Sequence, residues 1–380
     1  MKHLILIICT FALLISSCNM TTESETIGLI IGTYTSSGSH GIYSAEFNQE
    51  TGHLHLLDSI SVPNPSYVAL SDDNSKIYAV NENGDKSALT MIDYDIDNGK
   101  MKFVDSTATV GDNPCYVSLV GNTVFTANYT GGSLNTFKIS NDKISLQNAI
   151  KFNNACKKDS VRQATSHIHC VAISPDKKNM YATDLGADLI YKFDIINENG
   201  DISTQYDSIP LITSGVMPTC SEGIGPRHLI FSDDGQIAYL ISELSGTISV
   251  FSRDVEGNLN VIETVLADNA NARGSADLHL SPDNKFLYAS TRIKDDGITI
   301  FKVENNGMHL SHVDHVYTGR HPRNFIISPN GKFLLVACRD DNRIEIYKCD
   351  THSGIIEYSG VNLEIPAPVC LKFAISLKEQ

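Results

Sequence analysis

Between residues 27 and 373 apolar and polar positions alternate in short runs, each closed by turn residues such as Asp234-Gly235, Asp283-Asn284 and Asn330-Gly331. A period of two predicts β-strands buried on one face, and no stretch sustains the 3.6-residue period of a helix. The runs belong to a longer repeat. A Pro or its equivalent opens an alternating apolar run, Ser-x-Asp-x follows, and a Tyr stands seven residues after the Ser. A second run then ends in Val/Ile-x-Phe/Tyr. Copies start at Asn64-Pro65-Ser66, Asn113-Pro114-Cys115, Ser166-His167-Ile168-His169, Gly225-Pro226-Arg227-His228, Ser275-Ala276-Asp277 and His321-Pro322-Arg323. The tyrosines are Tyr78, Tyr181, Tyr239 and Tyr288, replaced by Phe125 and Leu335 in two copies.

About four short strands in each repeat of roughly 46 to 59 residues is the pattern of a β-propeller blade. Six copies are complete. The segment from Ile27 to Ser59 has later strands but no opening one, and the missing strand stands at the far end, in Pro366-Ala367-Pro368-Val369-Cys370-Leu371-Lys372-Phe373. Its entry into the first blade makes seven blades, closes the ring and hides two sheet edges. The expected fold is therefore an all-β, seven-bladed propeller over residues 27–380.

The first residues are read as a targeting signal. Met1-Lys2-His3 is a short basic start, and the apolar run from Leu4 to Ile15 is too short to span a bilayer about 30 Å thick. Ile15-Ser16-Ser17-Cys18 then resembles a bacterial lipoprotein signal, with Cys18 the lipidated residue and Asn19 to Thr26 a polar tether. This predicts an exported protein held to a membrane by lipid alone, on the periplasmic or outer-membrane side. It would be cytoplasmic if the signal were unused. A plain secretory peptide is the alternative.

Composition narrows the partners. Hydrophobic residues at 42% and charged residues at 19% allow a large core and exclude disorder. A net charge of −15 argues against nucleic acid, although clustered arginines can still bind a small anion. The seven cysteines after Cys18 are odd in number and contain no CxxC pair, so they form no complete disulfide framework. No HExxH, GxSxG or P-loop occurs. His309, His312 and His315 are not a chelate, because alternation turns His312 away from the other two. Gly32-Thr33-Tyr34 through Gly41 reads as a turn able to line the mouth of the channel. No metal or cofactor is expected, and the protein is expected to be a monomer.

Equivalent positions of all blades lie on one ring around the axis, so aligning the copies stands in for coordinates. Five residues before the Ser of Ser-x-Asp stand Ser66, Cys115, His169, Arg227, Ala276 and Arg323. Four residues after the Tyr stand Glu82, Tyr129, Leu185 with Asp184 beside it, Glu243, Arg292 and Arg339. His169, Arg227, Glu243, Arg292, Arg323 and Arg339 should thus converge near one mouth, with His167, Asn128 and Tyr129 as further candidate substrate contacts. Arginines can bind a phosphate or carboxylate and offset charge developing on an oxygen, while His169 or Glu243 can take a proton from water. The competing reading is a ring of structural salt bridges such as Arg227 with Glu243. His228, next to Arg227 but on the opposite face, is expected to pack between blades.

Several of these stretches resemble a known family. Ile31-Gly32-Thr33-Tyr34-Thr35, Ser166-His167-Ile168-His169, Gly225-Pro226-Arg227-His228-Leu229, Glu243-Leu244, His321-Pro322-Arg323-Asn324-Phe325 and Pro368-Val369-Cys370-Leu371-Lys372-Phe373 are similar to the seven-bladed β-propeller lactonases. That family includes bacterial 6-phosphogluconolactonases and the fungal carboxy-muconate lactonising enzyme. Its proposed active-site His, Arg, Glu and Arg fall on His169, Arg227, Glu243 and Arg292. The resemblance implies a hydrolase that opens 6-phospho-D-glucono-1,5-lactone to 6-phosphogluconate, in the pentose phosphate pathway, by metal-independent attack of water. His169 or Glu243 would then activate water, Arg227 or Arg292 would stabilise the oxyanion, and Arg323 with Arg339 would hold the phosphate. Export fits that pathway poorly, so an unphosphorylated sugar lactone is one alternative substrate. A non-catalytic propeller that only binds a partner is another reading.

Overall fold

The computed structural model describes residues 25–211 and 223–375. Cys18, Cys220 and most of the expected tether lie outside them. Among the described residues are seven antiparallel four-stranded sheets, arranged as blades with their first strands innermost. No helix among these residues is long and apolar enough to cross a membrane, and Cys115, Cys156, Cys170, Cys338, Cys349 and Cys370 are free thiols.

Burial follows position in the blade. The second strands, such as Asn179–Asp184, Ile237–Ser242 and Phe286–Thr291, are buried along their whole length because both of their faces meet neighbouring blades. The outermost strands, such as Lys143–Lys151, are largely exposed and carry the charge that protects a sheet edge. The ring closes as the sequence predicts. Pro368–Ala374 is the innermost strand of blade 1 and pairs with Thr26–Thr33, setting Leu29 against Phe373 and Ile31 against Leu371.

The repeat residues have structural tasks. In the Ser-x-Asp turns the hydroxyl meets the carboxylate two residues on, at 2.7 Å for Ser174–Asp176, Ser232–Asp234 and Ser281–Asp283, and tightens the hairpin between the first two strands. The tyrosines reach across blade interfaces. The hydroxyl of Tyr181 donates to the Gly257 carbonyl of the next blade at 2.6 Å, Tyr239 to Gly307 at 2.8 Å and Tyr288 to Gly354 at 2.9 Å. Each acceptor glycine has φ between 76° and 90°, a left-handed turn that favours Gly at that position.

Outer strands can depart from simple alternation. An irregularity between Ile300 and Phe301 leaves Val313 as an extra residue, so His312 opposes Phe301 and His315 opposes Thr299. His312 and His315 therefore share a face and His309 is the one turned away, the reverse of the sequence expectation. No cluster of His, Cys, Asp or Glu suited to a metal occurs among the described residues.

Leu371 of the closing strand is 1% exposed within the core shared with Phe333 and Ile344. Leu371→Ala is expected to cost about 2–5 kcal/mol of unfolding free energy in a denaturant titration. A loss below about 1 kcal/mol would mean that closure does not limit stability.

Candidate active site

The ring positions chosen by repeat alignment coincide with β-bulges. Near its site end the innermost strand shifts register between Pro114 and Tyr116, Ile168 and Cys170, Pro226 and His228, and Pro322 and Asn324. The residues left without a pairing partner are Cys115, His169, Arg227 and Arg323. A bulge frees a residue from the ladder and re-aims its side chain, which here delivers functional groups to the channel mouth.

Glu243 follows directly on Ile237–Ser242 and is the centre of this mouth. Its Oε2 accepts from Arg227 Nε at 2.9 Å and lies 3.3 Å from Arg292 Nη2, while its Oε1 accepts from Arg162 Nη2 at 2.6 Å. The Arg227–Glu243 ion pair is real, but it lies within one blade, and Arg162 and Arg292 add links from other parts of the ring. Arg162 also donates to the Tyr129 hydroxyl at 3.2 Å. Arg292 Nε donates to the Gly274 carbonyl at 2.7 Å, and its Nη1 lies 3.2 Å from His321 Nε2. On the far side of that imidazole, Nδ1 is 3.2 Å from Arg339 Nη2, and Arg339 Nε binds Asp340 at 2.6 Å. Arg323 is different. Its guanidinium lies 5.5 Å from the centre of the Tyr34 ring and has no hydrogen bond or ion pair among the described residues. Tyr34 is turned toward Glu82, donating to Oε2 at 2.9 Å.

His169 is 4% exposed, and its Nδ1 has no hydrogen-bond partner. Its ring meets Tyr129 at 5.6 Å and His228 at 5.3 Å, both edge to face. His167 stacks on Tyr129 at 4.4 Å and places Nδ1 2.9 Å from the Tyr129 carbonyl oxygen. Asn128 does not join the group. Next to Tyr129 it must face the other side of the strand, where its amide donates to Ser133 Oγ and the Val110 carbonyl with no exposed surface. His228 also departs from expectation. The bulge keeps it on the same side as Arg227, so it lies in the axial channel against Tyr67 and Tyr116 rather than between blades. Sequence reasoning missed Arg162, whose loop has no counterpart in the repeat, and His321, which precedes a ring position instead of occupying one.

The charge balance sets the protonation states. Burial favours the neutral acid at Glu243, but Arg292, Arg227 and Arg162 outweigh it and hold the carboxyl down at about 2. Burial, with Arg227, His228, Arg323 and Arg292 nearby, pushes His169 well below the ordinary imidazole range. Burial and Arg227 lower His228 to about 4, and burial with Arg292 and Arg339 lowers His321 to about 3. The mouth at neutral pH therefore has ionised Glu243, neutral His169, His228 and His321, and an excess of guanidinium charge. Such a site can bind an anion, stabilise a developing oxyanion and accept a proton on an imidazole.

Comparison with known proteins bears on the fold and the family. The family model described as Lactonase, 7-bladed beta-propeller matches residues 28–373. A 6-phosphogluconolactonase of Formosa agariphila is 32% identical over 343 residues, covering 87% of this chain and 94% of that protein. The crystal structure of a candidate 6-phosphogluconolactonase from Bacteroides fragilis superposes with a TM-score of 0.87 at 42% identity, covering 92% of this chain and 98% of its own. The periplasmic gluconolactonase of Pseudomonas aeruginosa superposes with a TM-score of 0.83 at 30% identity, covering 92% and 99%.

The buried imidazoles give a pH dependence of stability. Their folded pKa values lie below the unfolded value of about 6.5, so they cost nothing above that pH. As pH falls from about 6.5, the unfolded chain takes up protons that His228 and His321 refuse until about 4 and about 3. Each such histidine removes up to about 1.4 kcal/mol per pH unit in that window. Urea midpoints should fall steadily from pH 7 to pH 5 and less steeply in His321→Asn, where Asn tolerates the left-handed backbone at φ 60°. A flat profile in both proteins would mean that these imidazoles are solvated.

Proposed function

Because this chain belongs to the seven-bladed β-propeller lactonase family and is a hydrolase of cyclic carboxylic esters, we propose that it opens 6-phospho-D-glucono-1,5-lactone to 6-phosphogluconate. One observation carries the choice of an anionic lactone. Arg323 is held on the Tyr34 ring at the mouth with no hydrogen bond or ion pair among the described residues, whereas Arg162, Arg227 and Arg292 are engaged by Glu243. Glu82 and Glu243 act on its charge only from beyond bonding distance, so this partly buried guanidinium keeps its donors open to a phosphate, which it can grip bidentately.

In the reaction, water attacks the lactone carbonyl carbon as a base takes its proton. The carbonyl oxygen becomes an oxyanion, the ring C–O bond then breaks, and the departing ring oxygen takes a proton to become a hydroxyl. Arg227 and Arg292 are the oxyanion donors. His169 is the better base of the two candidates, since its Nδ1 is unpartnered while both oxygens of Glu243 accept from guanidiniums. Burial is the first cause of the depression of His169, with Arg227 next; of the arginines that add to it a phosphate would neutralise Arg323, so arrival of the substrate lifts that part of the depression. Glu243 is the anchor that sets the arginines.

The test is hydrolysis of 6-phosphogluconolactone and of gluconolactone, each measured against its spontaneous rate. Arg323→Ala should raise KM for the phosphorylated lactone at least about tenfold and leave gluconolactone unchanged. Glu243→Gln should lower kcat on both by roughly 10²–10³, as for loss of a positioned donor. Equal effects of Arg323→Ala on both lactones would remove the phosphate receptor, and a fully active Glu243→Gln would remove the anchor.

A second reading has an unphosphorylated sugar lactone as substrate outside the cytoplasm. The Met1–Cys18 segment favours it, as does similarity to a protein described as a periplasmic gluconolactonase. Export with lipid on Cys18 predicts labelled palmitate incorporation that Cys18→Ser abolishes. Unlabelled, full-length protein would place the chain in the cytoplasm and leave the phosphorylated lactone as its substrate.

A further inference from the structure

Beneath Arg227 a second layer of side chains crosses the channel. Ala276 and Asp277 together oppose Ser290, since the Ser290 carbonyl accepts from Ala276 and its N–H donates to Asp277. The bulges of blades 5 and 6 thus bring His228 and Asp277 together on the axis. His228 Nδ1 lies 2.7 Å from Asp277 Oδ1, and its Nε2 lies 3.2 Å from Arg227 Nη1. Tyr67 and Tyr116, stacked at 4.1 Å, meet the His228 ring edge to face, as does His169. Asp277 is 2% exposed. Its Oδ1 also accepts from the Leu278 amide at 3.1 Å, and its Oδ2 accepts from Asn324 and faces His279 Nε2 at 3.1 Å.

We propose that Asp277 and His228 are positioning residues for Arg227, a relay that locks the guanidinium with one nitrogen free for the reacting oxygen. This rests on the lactonase reading above. Asp277, flanked by His279 and His228, stays ionised despite burial and can only accept, so the proton of His228 must sit on Nδ1. Nε2 then presents a lone pair to Arg227. The arginine is fixed at three points: Nε to Glu243, and Nη1 to His228 and to the Ala276 carbonyl. Nη2 alone has no protein partner among the described residues, and it is the donor left for a substrate oxygen. Arg227, 2% exposed, has no freedom to find this orientation from solvent; its neighbours impose it.

Asp277→Asn tests the tautomer. The amide can donate to Nδ1, which moves the imidazole proton to Nε2 and sets it against an N–H of Arg227. In ¹⁵N-histidine spectra His228 should be the Nδ1–H tautomer in the wild type and change in the variant. The Arg227 Nε–H should lose its protection from solvent exchange. With the phosphorylated lactone, kcat should fall roughly tenfold with KM unchanged, less than the 10²–10³ for removing a direct donor. His228→Gln, whose carbonyl can still accept from Arg227, should keep most of the activity that His228→Leu loses. It also covers the case in which Asp277→Asn does not fold. An Nε2–H tautomer in the wild type, a fully active Asp277→Asn, or equal losses in Gln and Leu that track the melting temperature would each overturn the relay. If the wild type hydrolyses no lactone, the proposed function fails, and the tautomer and the Arg227 exchange decide the relay alone.

Discussion

Everything at the mouth depends on the antiparallel pairing of Pro368–Ala374 with Thr26–Thr33. An open stack of sheets has no axis, and residues at equivalent repeat positions would spread along an arc. Closure turns repetition in sequence into convergence in space. It also orders the chemistry by height, since each residue number along an innermost strand becomes a level of the channel, with His169, Arg227 and Arg323 on one level and His228, Asp277 and Asn324 on the next.

The bulges then break the symmetry that closure creates. A regular strand would turn every second side chain into the gap between blades, and a seven-fold ring of identical groups would recognise little. Unpaired residues at the top of several blades put consecutive side chains on the axis, so acid, base and guanidinium sit over a layer that orients them. Grouping so many arginines is costly in a buried site. Glu243, Asp340 and the π face of Tyr34 offset most of that repulsion, and the remaining excess attracts an anion.

How far the sequence predicted this follows from what repeats and what does not. Strand count, closure and the ring set from His169 to Arg339 were legible because each is a recurrence at fixed spacing. Arg162 was not, because its loop between blades 3 and 4 has no counterpart to align. His228 was misplaced for a physical reason: strict alternation fails wherever a bulge adds a residue, and the same failure reversed the faces of His309 and His312. Asn128 is the opposite case. Alternation holds there, and applied from Tyr129 it would have turned Asn128 away from the mouth.

The tyrosine links have a mechanical side. They join blades 4 to 5, 5 to 6 and 6 to 7 in unbroken succession, and those four blades carry His169, Arg227, Glu243, Arg292, Arg323 and Arg339. Elsewhere the interfaces use other links, such as Ser44 on the Gly99 carbonyl and the ion pair of Lys76 with Asp142. The four blades that carry the site are therefore joined by one repeated link, which the other interfaces do not repeat among the described residues. The spacing of blades 4 to 7 is thus tied at the face of the disc opposite the mouth, by groups that a substrate at the mouth does not reach.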